Sequence, residues 1–160
     1  MIGPLGGAQV LPGHLADVTA ARYHPNGGYI LSASRDTTLR LWSVADATCV
    51  RLLLGHTAAV LAVAVTPDGA YAASGSEDCS LRIWHLGSGR CMRTLSSHTQ
   101  PVSHVAFNGS GKLLASGGGK EVCVWDSRRA LAADGNHLLV SRPRSAASLT
   151  AAHRPALRPR

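Results

Sequence analysis

Three copies of one unit constrain this chain more than any other feature. His14, His56 and His98 are evenly spaced along it. Trp42, Trp84 and Trp125 follow with the same spacing, the last arriving one position early, and Asn26-Gly27, Asp68-Gly69 and Ser110-Gly111 fall between them in step with the histidines. Three markers of different chemistry keep one spacing, so the chain is built from three like units. In such a chain each unit buries its apolar face chiefly against the next.

Within a unit, short apolar runs alternate with turn residues at strand spacing. In the first, Val18 to Tyr23 reads as an inner strand and Tyr29 to Ser34 as the second. Thr37 to Ser43 reads as the third and Thr48 to Leu54 as the outer one. Asn26-Gly27 is a hairpin turn, since both residues tolerate positive φ. The second unit repeats the order with Val60 to Val65, Tyr71 to Ser76, Cys79 to His85 and Arg90 to Leu95. The inner strands are apolar enough to be buried on both faces. A period of roughly 40–45 residues opening on Gly-His and closing on Trp is the signature of a WD-repeat propeller blade. The expected fold is all-β: a WD-repeat β-propeller fragment of three four-stranded blades in an open arc.

The expected organisation follows the period. Residues 1–12 form an N-terminal remnant, with Ala8 to Leu11 as the outer strand of a missing blade. Repeats occupy 13–54, 55–96 and 97–141. The third is degenerate: it opens on Ser97-His98, its Gly117-Gly118-Gly119-Lys120 loop is one residue shorter, and no aspartate matches Asp36 and Asp78. His137 to Ser141 is the candidate for its outer strand. Residues 142–160 are rich in Arg, Pro, Ala and Ser without apolar period, which reads as a disordered tail.

The formal charge of +7 invites a nucleic-acid reading until it is mapped. Residues 1–127 carry nine Lys and Arg against eight Asp and Glu, a net of +1, whereas residues 128–160 carry seven Arg against one Asp, a net of +6. The repeats are nearly neutral. The tail has neither a dense basic run nor interleaved aromatics, so no sequence-specific nucleic-acid binding is expected. No apolar run reaches the ~18–20 residues of a membrane span, and the N-terminus lacks a signal-peptide pattern. The four cysteines form no CxxC pair, which favours reduced thiols over a disulfide framework or metal site.

Each good unit places His, Ser, Asp and Trp at fixed spacing: His14, Ser32, Asp36 and Trp42, then His56, Ser74, Asp78 and Trp84. The third retains His98, Ser116 and Trp125. A Ser/His/Asp set suggests a hydrolase. Its recurrence in successive units, with a tryptophan waiting for the serine, points instead to structural tetrads without a free nucleophile. The Gly117–Lys120 loop fails the phosphate-loop spacing. No catalytic, cofactor-binding or metal residues are expected, and no small-molecule substrate.

The first repeat carries a more specific likeness. Gly13 to Val18 (GHLADV), His24 to Asn26 (HPN), Tyr29, Asp36 to Ser43 (DTTLRLWS) and Cys49 to His56 (CVRLLLGH) resemble the C-terminal propeller of the fifth-subunit family of TBP-associated factors. That family has a transcription factor IID member and a paralogue in SAGA-type histone acetyltransferase coactivators; Ser43 and Val50 to Leu52 are closer to the paralogue. In propellers resembling this one, the aspartate accepts from the histidine, the histidine bonds the strand hydroxyl, and the hydroxyl meets the indole N–H. The resemblance implies a nuclear, non-catalytic scaffold contacting protein subunits of a transcription complex. The alternative is a WD-repeat adaptor of another complex, such as a ubiquitin-ligase substrate receptor, though no adaptor-binding helix or box is visible.

Overall fold

The computed structural model describes residues 8–127. Eleven strands build three antiparallel sheets. The first contains β1 (Val18–Tyr23), β2 (Tyr29–Ser34), β3 (Leu39–Ser43) and β4 (Thr48–Leu53). The second contains β5 (Val60–Val65), β6 (Tyr71–Ser76), β7 (Leu81–His85) and β8 (Arg90–Leu95). The third contains β9 (Val102–Phe107), β10 (Leu113–Gly118) and β11 (Glu121–Asp126). Strands pair only with their sequence neighbours, so every sheet is an up-and-down meander. The third sheet has three strands among the described residues. The outer strand expected at His137 to Ser141 lies outside them, as does the tail.

β1 packs on β5, and β5 and β6 pack on β9. One apolar cluster joins Leu31, Leu39, Leu41 and Leu53 of the first sheet to Val60, Val63 and Trp84 of the second. Another joins Ala73, Leu81 and Ile83 to Leu114, Cys123 and Trp125 of the third. The core therefore lies between blades, as expected for strands that present apolar residues to both faces. Thr19 strengthens the first junction: its hydroxyl reaches the carbonyls of Ala33 and Val60. A bulge at this point of β1 skips Thr19 in the pairing with β2, and the same irregularity recurs in β5 around Leu61. His24 adds a second tie, donating from Nε2 to the Gly69 carbonyl at 2.9 Å. A Cβ on Gly69 would lie 2.3 Å from that imidazole, so glycine is required here by space as well as by its φ of 75°.

Four expectations need correction. The third strands of the first two sheets begin at Leu39 and Leu81, later than Thr37 and Cys79, because those two residues sit at φ of 72° and 64° and shape the preceding turns. In the first hairpin only Gly27 takes positive φ (71°); Asn26, held after Pro25, uses its Oδ1 to accept the Gly28 N–H. Ala8 to Leu11 carries no strand, since an outer strand needs a ladder partner and none is present among the described residues. β1 is mostly exposed, whereas β5 is largely buried; only β5 lies between two described sheets.

Candidate functional site

The repeated polar set is brought together in each blade from three places: the segment before the inner strand, the second strand, and the loop and strand that follow. In the first blade His14 Nδ1 lies 2.8 Å from Asp36 Oδ2, and His14 Nε2 lies 2.7 Å from Ser32 Oγ. Trp42 Nε1 donates to the same hydroxyl at 2.8 Å. The second blade repeats this with His56–Asp78 at 2.9 Å, His56–Ser74 at 2.7 Å and Trp84–Ser74 at 2.8 Å. A carboxylate can only accept, so Nδ1 carries the proton. Nε2 then accepts the serine O–H, and the serine oxygen accepts the indole N–H. The chain of bonds stitches the segment before β1 or β5 to the second and third strands.

The carboxylates are held further. Asp36 accepts from the Leu15 N–H, the Thr38 N–H and the Thr38 hydroxyl; Asp78 accepts from the Thr57 N–H, the Ser80 N–H and the Ser80 hydroxyl. Burial alone would raise their pKa values. The hydrogen bonds outweigh it and hold both carboxyls well below the usual range. For His56 burial dominates and lowers the pKa, opposed by the bond and charge of Asp78 and assisted by the Arg82 charge.

The third blade keeps half of this. His98 Nε2 lies 2.7 Å from Ser116 Oγ, which accepts from Trp125 Nε1 at 2.8 Å. His98 Nδ1 is buried with no partner. The loop explains why. Gly118 and Glu121 close a two-residue turn, with Gly119 at φ of 57°, so the position that holds Asp36 and Asp78 does not exist. With no acceptor at Nδ1, the economical tautomer carries its proton on Nε2 and donates to Ser116, the reverse of the other two blades.

Sequence reasoning missed a compensating pair. A Cβ on Gly13 would lie 2.7 Å from Arg40 Nη1, and one on Gly55 would lie 2.6 Å from Arg82 Nη1. In the third blade Ser97 replaces the glycine, and Cys123 replaces the arginine two positions before the tryptophan. The backbone differs as well: Gly13 and Gly55 hold φ of 154° and 157°, whereas Ser97 is not at positive φ. Cys123 is buried, which with the Glu121 charge pushes its pKa up.

The serines Ser32, Ser74 and Ser116 are all buried, and each already holds an imidazole and an indole. This is the constellation of a strand tie, with no room for a substrate carbonyl at the hydroxyl. Open polar ground lies elsewhere. A cleft of about 570 Å³ between the first two blades is lined by His24, Tyr29, Arg51, Asp68 and His85 among others.

Blades of this construction, packed face to face through their inner strands, define a β-propeller of the scaffold type. The WD domain, G-beta repeat signature matches residues 8–43, 47–85 and 89–126, and the chain belongs to that family. Human pre-mRNA-processing factor 19 is 44% identical over 43 residues, which is 27% of this chain and 8% of that protein. Human striatin-4 is 47% identical over 38 residues, 24% of this chain and 5% of that one. The solved structure of U3-55K superposes with a TM-score of 0.73 at 29% identity, covering 75% of this chain and 39% of that one. The RRP9 WD40 repeats give the same score and identity. The chain thus spans under a tenth of the sequence relatives and about two fifths of the structural ones.

Proposed function

We propose that this chain is a non-catalytic protein-interaction scaffold, the WD-repeat part of a nuclear transcription coactivator subunit. The observation that carries the scaffold reading is the closed hydrogen-bond circuit around Ser32 and Ser74. It absorbs every residue of the apparent triads and leaves blade edges, loops and the cleft beside Tyr29 as the surfaces able to act. The coactivator reading rests on the first-repeat motifs that resemble the TBP-associated family. Its partners are protein subunits; no cofactor, small-molecule substrate, sequence-specific nucleic-acid contact or membrane role enters it. The relative at 47% identity is a striatin, whereas the one at 44% is named for pre-mRNA processing and favours a second reading in which the scaffold serves an RNA-processing assembly. Both suit the nucleus.

The test is affinity purification of the tagged full chain from nuclear extract, followed by mass spectrometry. Stoichiometric acetyltransferase-coactivator or factor IID subunits are expected. Enrichment of splicing subunits alone would replace the first reading by the second, and cullin-type ligase subunits would replace both. A fluorophosphonate probe should leave Ser32, Ser74 and Ser116 unlabelled; labelling of any of them would refute the non-catalytic role.

A further inference from the structure

The first two blades show what the third one lacks. A single carboxylate oxygen, Oδ2 of Asp36 or Asp78, takes the imidazole Nδ1 proton together with the backbone N–H of the residue after the histidine, Leu15 or Thr57. In the third blade Thr99 stands in the place of Leu15 and Thr57. His98 is 7% exposed, and among the described residues no carboxylate meets its buried Nδ1. Beside it the shortened turn leaves a cleft of about 320 Å³ lined by Thr99, Gln100, Gly119, Lys120 and Glu121. A Cβ on Gly118 would lie 3.3 Å from His98 Nδ1, and one on Gly119 would lie 2.9 Å from Gln100 Cγ. The orphaned nitrogen therefore abuts the turn that walls the cleft, and the exposed Gln100 side chain covers Gly119.

We propose that this cleft binds a carboxylate, an aspartate or glutamate side chain of a protein partner, which completes the tetrad of the third blade from outside. With Gln100 swung aside, the guest oxygen accepts from His98 Nδ1 and the Thr99 N–H, as Asp78 Oδ2 accepts from His56 and Thr57. A buried polar atom without a partner is costly, and the guest removes that cost. The Lys120 ammonium supplies a countercharge at the mouth, while Glu121 on the same wall opposes it. That balance suits a singly charged carboxylate better than a phosphate. Binding also relocates a proton. In the empty site the imidazole holds its proton on Nε2 and donates to Ser116 Oγ. In the occupied site it holds one on Nδ1, and Nε2 accepts the Ser116 O–H, the arrangement of His14 and His56. Exchange with water moves the proton, and the ring stays neutral. Ser116 Oγ accepts the Trp125 indole N–H in both states, so the guest at the turn is felt at β11. The protein origin of the carboxylate rests on the scaffold reading; the site itself does not.

The test is nuclear magnetic resonance on the full, isotope-labelled chain in carboxylate-free buffer at neutral pH. The chain is titrated with sodium acetate, then with the capped peptide acetyl-Gly-Asp-Gly-amide and its Asn counterpart, against matched sodium chloride. The ring nitrogen shifts of His98, assigned by their loss in His98→Asn, report the tautomer. Saturating acetate should move the proton from Nε2 to Nδ1, and the Asp peptide should do the same where the Asn peptide does not. Of the three tryptophans, Trp125 alone should show an indole N–H shift, with the same affinity. That readout on the unaltered chain decides should His98→Asn fail to fold. Lys120→Ala should weaken acetate binding by up to roughly fivefold and Glu121→Gln should tighten it by a like factor, as for charges at an open site. A proton already on Nδ1 before any carboxylate is added, or no saturable change with acetate, overturns the site. Acetate binding with both peptides inert overturns the protein origin of the guest. A chain that captures coactivator or splicing subunits from extract while failing here loses this inference and keeps the scaffold reading.

Discussion

At the residue scale, two details govern the tetrads: whether a carboxylate is present and whether a glycine precedes the histidine. Asp78 titrates below 3.8, its ordinary value. A carboxyl whose pKa is depressed on folding stabilises the native state fully above that value, and the contribution is lost as pH falls through the folded-state value. His56, lowered below 6.5 by burial, binds a proton more readily when unfolded, so its contribution also fades as pH falls below 6.5. Asp78→Asn is expected to cost about 1–3 kcal/mol near neutrality, since it unpairs buried groups. It should also flatten the acid limb of the stability profile below 3.8. Urea titrations from neutral to acid pH check this, and an unchanged limb would place the acid sensitivity elsewhere. The glycine rule predicts a coupling. Gly55→Ser should destabilise, because Gly55 holds a φ of 157° and its Cβ would lie 2.6 Å from Arg82 Nη1. Adding Arg82→Cys, which reproduces the Ser97–Cys123 pair, should recover part of the loss. A double-mutant cycle reads the recovery as a favourable interaction of about 0.5–3 kcal/mol; simple additivity would refute the pairing.

At the element scale, β9 to β11 are expected to be the least well held sheet. β9 is half exposed where β5 is largely buried, and His98 lacks the carboxylate that fixes His14 and His56. Amides in Val102 to Trp125 should exchange faster than those in Val60 to Trp84. Inserting one Asp between Gly119 and Lys120 should slow them by giving His98 Nδ1 an acceptor, and exchange unaltered by the insertion would show that the sheet's weakness has another source. Much of this was legible beforehand. The period placed the strands of the first two blades and the onset of the third, because strand, turn and tryptophan recur in one spacing. The missing carboxylate was legible as a missing Asp in the shortened loop. The late starts of β3 and β7 were not, since positive φ at Thr37 and Cys79 breaks the usual preference of side-chain-bearing residues. The glycine lost at Ser97 was legible, but the approach of that position to the arginine was not, since Gly55 and Arg82 stand far apart in their repeat and come together only when the sheet forms.

At the scale of the whole molecule, the junctions between blades dominate. At roughly 25 cal/mol per Å², a few hundred Å² of apolar surface buried between blades contributes several kcal/mol, a large share of the ~5–15 kcal/mol that holds a domain. The meander has a further, kinetic meaning. Because every strand pairs with the next in sequence, each hairpin closes a short loop, and even the His14–Asp36 bond joins positions on one blade. Closing short loops loses little chain entropy, so this all-β chain should have a low contact order for its class and fold quickly. Stopped-flow refolding followed by indole fluorescence should show a concentration-independent phase within about milliseconds, as Trp42 and Trp84 enter their sheets. A single slow phase of seconds would mean that the blades cannot form until they find one another.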